Sequence, residues 1–137
     1  MPTLIYLDHN ATSPLRPEVA EAVRRAGLEF PGNPASQHQA GRQARRKLEA
    51  ERDALLGILQ AETASFHRDR LIFTSGGTES NNLAVIGISR AALRRDPSRR
   101  RVILSSIEHS SVLECQSRLA ADGFDVQILR AKPEGTI

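Results

Sequence analysis

Residues 71–82 read LIFTSGGTESNN, an apolar run that is followed by two glycines and then by polar residues. The apolar residues 71–74 predict a buried strand, and the pattern from 78 to 93 predicts a helix. Gly76 and Gly77 let the backbone between these two elements approach a ligand closely. The segment therefore predicts a strand, a glycine turn and a helix N-terminus, at the sheet edge where open α/β folds bind ligands.

The residues after this segment continue the alternation of strands and helices. Strands are predicted at 101–105 and 124–129, and a helix is predicted at 110–121 between them. Gly123 is expected to end that helix in a left-handed conformation, and residues 132–135 are expected to form a turn. Parallel strands joined by right-handed helical crossovers are the usual result of such alternation. The predicted fold class is α/β with a mainly parallel sheet.

The residues before this segment are predicted to be mostly helical. A short strand or extended segment is expected at 4–7, and a helix at 17–28 begins with a proline and ends at Gly27. A capping box formed by residues 36–39 is expected to begin a long amphipathic helix at about 38–60.

Residues 76–78 form a candidate phosphate site. A helix that begins here presents free N–H groups and the positive end of its dipole, and Thr78 adds a hydroxyl, so a dianionic phosphate suits the site. The alternative is a tight turn in which Thr78 only caps the helix. Two nucleotide motifs are excluded, because Glu79 stands where a P-loop needs lysine and Asn82 stands where a dinucleotide motif needs glycine.

His109 is a second candidate, within the run SSIEHSS at 105–111. It follows the strand at 101–105, so we expect it at the same sheet edge as the phosphate site. A histidine can stack on a planar ring and exchange protons near neutral pH. The alternative is an ordinary polar residue at a helix start, with Glu108 as its partner or as an acid that complements the helix dipole.

Four motifs together resemble those of the class V aminotransferase family of fold-type I pyridoxal-phosphate enzymes. They are YLDHNATSP at 6–14, GNPASQH at 32–38, the segment 74–83 and the pair at 108–109, in the order and spacing of that family. The resemblance is closest to cysteine desulfurases and extends from residue 6 to residue 137. It implies the N-terminal part of an aspartate-aminotransferase-like α/β/α fold, with 1–137 as part of one domain, no second domain and an incomplete sheet.

The resemblance also implies roles for individual residues. Gly77 and Thr78 match the positions that hold the phosphate of pyridoxal 5'-phosphate, and His109 matches the histidine that stacks on the pyridine ring and relays protons. The loop 33–38 resembles one near the active-site entrance and the dimer contact. Ser13 replaces the threonine usual in the opening motif, a change without consequence for phosphate binding.

Two residues that the family needs are not identified in this chain. Neither of the two lysines, Lys47 and Lys132, follows the strand and histidine that precede the family's Schiff-base lysine, and both are interpreted as surface charges. Cys115 falls inside a predicted helix and is interpreted as a small buried residue, since the family's nucleophilic cysteine comes much later. We expect the isolated chain to be inactive, and to aggregate, remain partly molten or need a companion chain.

The function implied is that of a cysteine desulfurase fragment. The complete enzyme would convert L-cysteine to alanine and pass persulfide sulfur to an acceptor protein for iron-sulfur clusters or thiolated molecules, as a homodimer or with a complementing chain. Alternatives are a fragment of a selenocysteine lyase or small-substrate aminotransferase, or a non-catalytic module that dimerises or holds the cofactor.

The composition indicates which binding partners and which cellular compartment to expect. The chain has 137 residues, 39% of them hydrophobic, which predicts a globular fold, and its net charge is +3. Its arginine clusters are interleaved with acids and it has no tryptophan, so nucleic-acid binding is not expected. No metal site, membrane span or signal peptide is predicted, and the single cysteine agrees with a cytoplasmic location.

Overall fold

The computed structural model describes residues 5–66 and 68–137. The chain forms two compact units, the first ending at Leu71 and the second spanning Ile72–Ile137. The beginning of the strand predicted at 4–7 lies outside the described residues, and residues 5–7 carry no regular secondary structure. In the described part of the chain, no helix combines the length and apolar character needed to cross a membrane.

The first unit contains α1 (Pro17–Glu29) and α2 (Gln39–Ile58). Pro17 occupies the first turn of α1, where a missing N–H costs nothing, and the helix predicted at 17–28 is confirmed. Gly27 does not end α1, which continues to Glu29. Pro31 explains this end, because the residue before a proline is disfavoured in the helical region, and Phe30 leaves it with φ −122° and ψ 59°.

The start of α2 differs from the predicted capping box. His38 is the N-cap residue, and its Nδ1 accepts a hydrogen bond of 3.3 Å from the backbone N–H of Gly41. The Ser36 N–H instead donates to the Asn33 carbonyl at 2.9 Å inside the preceding loop. That loop lies so close to α2 that a Cβ atom on Gly41 would come within 2.7 Å of the Asn33 oxygen, which explains the glycine.

The second unit contains a parallel two-stranded sheet with helices packed against it. Its elements are α3 (Gly77–Arg95), β1 (Arg101–Ser105), α4 (Ser110–Leu113), α5 (Cys115–Ala121) and β2 (Asp125–Leu129). Strands β1 and β2 pair in parallel, with Val102 opposite Val126 and Leu104 opposite Ile128. The α/β class with a parallel sheet is therefore confirmed.

Residues 71–74 do not form the predicted strand, because the sheet of the described chain contains only β1 and β2. A strand needs a hydrogen-bonded neighbour, and an apolar run alone does not supply one. The turn predicted at 132–135 is present, with the Gly135 N–H donating to the Lys132 carbonyl at 2.9 Å.

The helix predicted at 110–121 is divided at Glu114 into α4 and α5, although Glu114 keeps helical angles. Gly123 has φ +86°, and the Phe124 N–H donates to the Leu119 carbonyl at 3.0 Å, so α5 ends in the predicted left-handed turn.

The core of the second unit is small. Cys115 and Leu119 of α5 are 1% and 0% exposed, and Phe124 packs with them. Partly buried residues of α3 and the two strands surround this cluster: Val85, Ile86, Leu93, Val102 and Val126. The cluster fixes α3 and α5 against one face of the sheet, which sets the position of the start of α3.

Candidate functional site

The N-terminus of α3 follows the glycine turn. Gly76 is its N-cap residue, and the Gly76 carbonyl accepts the Ser80 N–H at 3.1 Å. Gly77 and Thr78 begin the helix, so their N–H groups have no acceptor within α3. No side chain of the described residues caps this helix start. The donors at Gly77 and Thr78 are therefore available to an anion.

Both glycines face open space. A Cβ atom built on Gly76 or Gly77 would meet no atom within 4 Å, and Thr78 is exposed. Packing within this chain therefore does not require glycine at either position. Space beside unused N–H groups and a threonine hydroxyl matches the requirements of a phosphate group. The residues present thus fit the phosphate of pyridoxal phosphate.

Hydrogen bonds hold the turn before the helix in place. The Glu79 carboxylate accepts from both the backbone N–H and the hydroxyl of Ser75, each at 2.7 Å. These bonds, the backbone one first, keep the pKa of the Glu79 carboxyl below its usual range. Thr74 Oγ1 lies 2.6 Å from Ser80 Oγ and donates to the Gly76 carbonyl. The glycine turn is therefore ordered by contacts on both sides.

His109 is exposed and is the N-cap residue of α4. Its Nδ1 accepts a hydrogen bond of 3.1 Å from the Ser111 N–H and lies 2.8 Å from Ser111 Oγ. The capping role agrees with the alternative of a polar residue at a helix start, but Ser111 takes the place expected for Glu108. Nδ1 of the ring is thus already hydrogen-bonded within the protein.

Hydrogen bonds connect the α3 start to the helix that follows His109. Asn81 Nδ2 donates to Ser111 Oγ at 2.8 Å, and Asn82 Nδ2 donates to the Thr78 carbonyl at 2.9 Å. Asn82 Nδ2 also lies 3.4 Å from the Ser111 carbonyl oxygen. The first turns of α3 and α4 are therefore joined, so the candidate phosphate site and His109 belong to one neighbourhood. Their chemical roles remain predictions.

Sequence reasoning missed Asn81, Asn82 and Ser111. Ser111 follows His109 by two residues, a spacing that could have suggested a cap contact. Nothing in the sequence pairs Ser111 with Asn81, which lies 30 residues earlier.

The cysteine of this chain is buried, and its two lysines are on the surface. Cys115 is 1% exposed, as predicted, and burial raises the pKa of its thiol. Lys47 is exposed and pairs with Glu51, a hydrogen bond that raises the lysine pKa. Lys132 is also exposed, in the turn after β2. The exposure of both lysines agrees with their interpretation as surface charges. The role of loop 33–38 stays a prediction.

Comparisons with a family model and with individual proteins all indicate the same family. The family model described as aminotransferase class-V matches residues 5–137. The chain is 39% identical over 133 residues to "Cysteine desulfurase IscS" of Dictyoglomus turgidum, covering 97% of this chain and 32% of that protein. It is 38% identical over 135 residues to the "IscS-like cysteine desulfurase" of Mycobacterium tuberculosis, covering 98% and 33%. The chain thus spans about a third of the length of these relatives.

Solved structures share the fold. The crystal structure of DndA from Streptomyces lividans matches with a TM-score of 0.62 and 42% identity, over 91% of this chain and 33% of that one. A structure described as SspA in complex with cysteine matches with a TM-score of 0.70 and 29% identity, over 93% and 34%. The fold predicted from the sequence motifs is confirmed by these similarities.

Proposed function

The chain belongs to the aminotransferase class-V family, and we propose that it supplies the phosphate-binding and ring-contacting part of a pyridoxal-phosphate-dependent cysteine desulfurase. The observation that supports this most strongly is the pair of hydrogen bonds from Asn81 and Asn82 of α3 to Ser111 of α4, since it holds the free donors at Gly77 and Thr78 near His109. A phosphorylated planar ring needs both features together.

Gly77 and Thr78 hold the cofactor phosphate. Their backbone N–H groups and the Thr78 hydroxyl donate hydrogen bonds to it, and the dipole of α3 favours its negative charge. Glu79 does not compete for these donors, because its carboxylate is held by Ser75. When bound, pyridoxal phosphate supplies an electron sink for breaking bonds of an amino-acid substrate.

His109 contacts the cofactor ring. Its Nδ1 is occupied by Ser111, so Nε2 is the ring nitrogen that remains for holding or moving a proton at the cofactor or substrate. The side chain is exposed, which leaves its face open to a planar ligand.

The amine and thiol of the reaction come from other residues. Lys47 and Lys132 are surface charges and Cys115 is a core residue, so none of them serves as the cofactor lysine or the sulfur nucleophile. These groups are supplied by further residues of the same domain or by a complementing chain. The isolated 137 residues bind the cofactor weakly and turn over no substrate.

L-Cysteine is the substrate of the complete site. The similarity to proteins named cysteine desulfurase, and to a structure described as a complex with cysteine, supports this choice over other amino acids. The products are alanine and a persulfide, whose sulfur goes to an acceptor protein in the cytoplasm.

Release of alanine and sulfide from L-cysteine tests this function. A polypeptide or complex that joins these residues to a cofactor lysine should produce alanine, with an equal amount of sulfide when a thiol reductant is present. The 137-residue chain alone is the matched control and should produce neither. Transamination of cysteine without sulfide, or activity with selenocysteine alone, would show that the substrate has been assigned wrongly.

A further inference from the structure

We propose that Asn81 and Ser111 are positioning residues that hold the His109 ring in a single tautomer, with Nδ1 as a hydrogen-bond acceptor and the proton on Nε2. The tautomer follows from this chain's own contacts. Its use, a fixed Nε2–H donor beside the cofactor, rests on the proposed function.

Nδ1 of His109 accepts a hydrogen bond from the backbone of Ser111. The backbone N–H of Ser111 lies 3.1 Å from Nδ1 with the geometry of a hydrogen bond. A backbone N–H can only donate, so Nδ1 must accept and cannot carry a proton in this arrangement. The neutral ring then carries its proton on Nε2.

The Ser111 hydroxyl lies between Asn81 and His109. Asn81 Nδ2 donates to Ser111 Oγ at 2.8 Å, and Oγ lies 2.8 Å from His109 Nδ1. Because Nδ1 carries no proton, this contact requires the Ser111 hydroxyl to donate to Nδ1, while the Asn81 amide donates to a lone pair of Oγ. Ser111 is 5% exposed, so water has little access to replace either bond. Donation therefore runs in one direction, from Asn81 to Ser111 to His109.

Nε2 is the nitrogen that the His109 ring presents to a ligand. Among residues 5–66 and 68–137, no hydrogen bond is made to Nε2 of His109. Asn81 lies in the first turns of α3, the helix that offers Gly77 and Thr78 to the phosphate. The same contacts that set the tautomer thus fix the ring relative to the phosphate-binding helix end.

Asn81→Asp reverses the direction of the hydrogen bond between residue 81 and Ser111 Oγ while keeping the side-chain shape. An aspartate at this position accepts a hydrogen bond from the Ser111 hydroxyl, so a lone pair of Oγ faces Nδ1 and favours a proton there, in competition with the Ser111 backbone N–H, which favours an unprotonated Nδ1. The probe is nitrogen NMR of the ¹⁵N-histidine-labelled full chain, in complex with a polypeptide that completes the sheet, at a pH well above the titration range of imidazole. We expect wild-type His109 to show only the Nε2–H tautomer, and Asn81→Asp to show a substantial Nδ1–H population.

Asn82→Asp is the matched control. It adds the same charge to the same helix, but the Asn82 amide contacts the carbonyls of Thr78 and Ser111 and not Ser111 Oγ. The His109 tautomer should therefore stay as in the wild type. Equal shifts in both variants would show an effect of charge alone and overturn the proposal.

Ser111→Ala provides a second, independent variant. It should move the Nδ1 resonance toward that of a ring with a single donor, whereas Ser110→Ala, which removes a neighbouring exposed hydroxyl, should leave it unchanged. A mixed tautomer in the wild type, or identical spectra for all variants, would overturn the proposal. A wild-type protein that shows the expected tautomer but does not bind pyridoxal phosphate would instead contradict the proposed function.

Discussion

Gly77→Asp is expected to lower the affinity of the chain for pyridoxal phosphate by roughly a hundredfold, because like charges about 4 Å apart near a protein surface repel by about 4 kcal/mol before salt screening. The new carboxylate would stand beside the N–H groups that we assign to the phosphate. It would also accept hydrogen bonds from those N–H groups itself, as acidic residues do in a first helical turn. Equilibrium dialysis with pyridoxal phosphate measures the change.

Gly77→Asn is the matched control for this substitution. It has nearly the same shape without the charge, and a Cβ atom at Gly77 meets nothing within 4 Å. Its affinity should stay within a few-fold of the wild type. Equal losses for the two variants would indicate steric exclusion, and an unchanged affinity for Gly77→Asp would place the phosphate elsewhere.

The isolated 137-residue chain is expected to lack a sharp, reversible thermal transition. Six hydrophobic residues are buried in the described chain, and α1 has none, with Val23 and Leu28 of that helix 65% and 70% exposed. So small a core does not offset the conformational entropy lost on ordering a chain of this length. Exposed apolar faces of this kind favour association or a partly molten state.

Differential scanning calorimetry combined with sedimentation tests that expectation. A broad or absent heat-absorption peak, with dye binding to exposed apolar surface or with aggregated material, is the expected result. Adding a polypeptide that completes the sheet should restore a cooperative transition. A single sharp and reversible transition of a monomer would contradict the expectation.

Local signals predicted most of the helices. Pro17 and the apolar spacing after it indicated α1, and Gly123 indicated the left-handed end of α5, because both depend on the conformational limits of a single residue. The glycine turn before α3 was found in the same way. Such signals depend on a few neighbouring residues, so they predict structure correctly however the distant parts of the chain fold.

Features that depend on distant residues were not predicted. Residues 71–74 have the composition of a strand, but strand formation needs a neighbour that the described sheet does not place beside them. His38 caps α2 although residues 36–39 matched a capping box, because the Ser36 N–H donates to the Asn33 carbonyl. In the candidate site, the pairing of Asn81 with Ser111 depends on how α3 and α4 pack, which no local pattern specifies.

The most direct test of the central claim is hydrogen–deuterium exchange of the chain with and without pyridoxal phosphate, followed by borohydride reduction and peptide mapping of the same sample. We expect slower exchange in the peptides that contain Gly77, Thr78 and His109, and no pyridoxyl group on Lys47 or Lys132. Stoichiometric labelling of either lysine, or protection confined to other peptides, would contradict the assignment of the cofactor site to the N-terminus of α3.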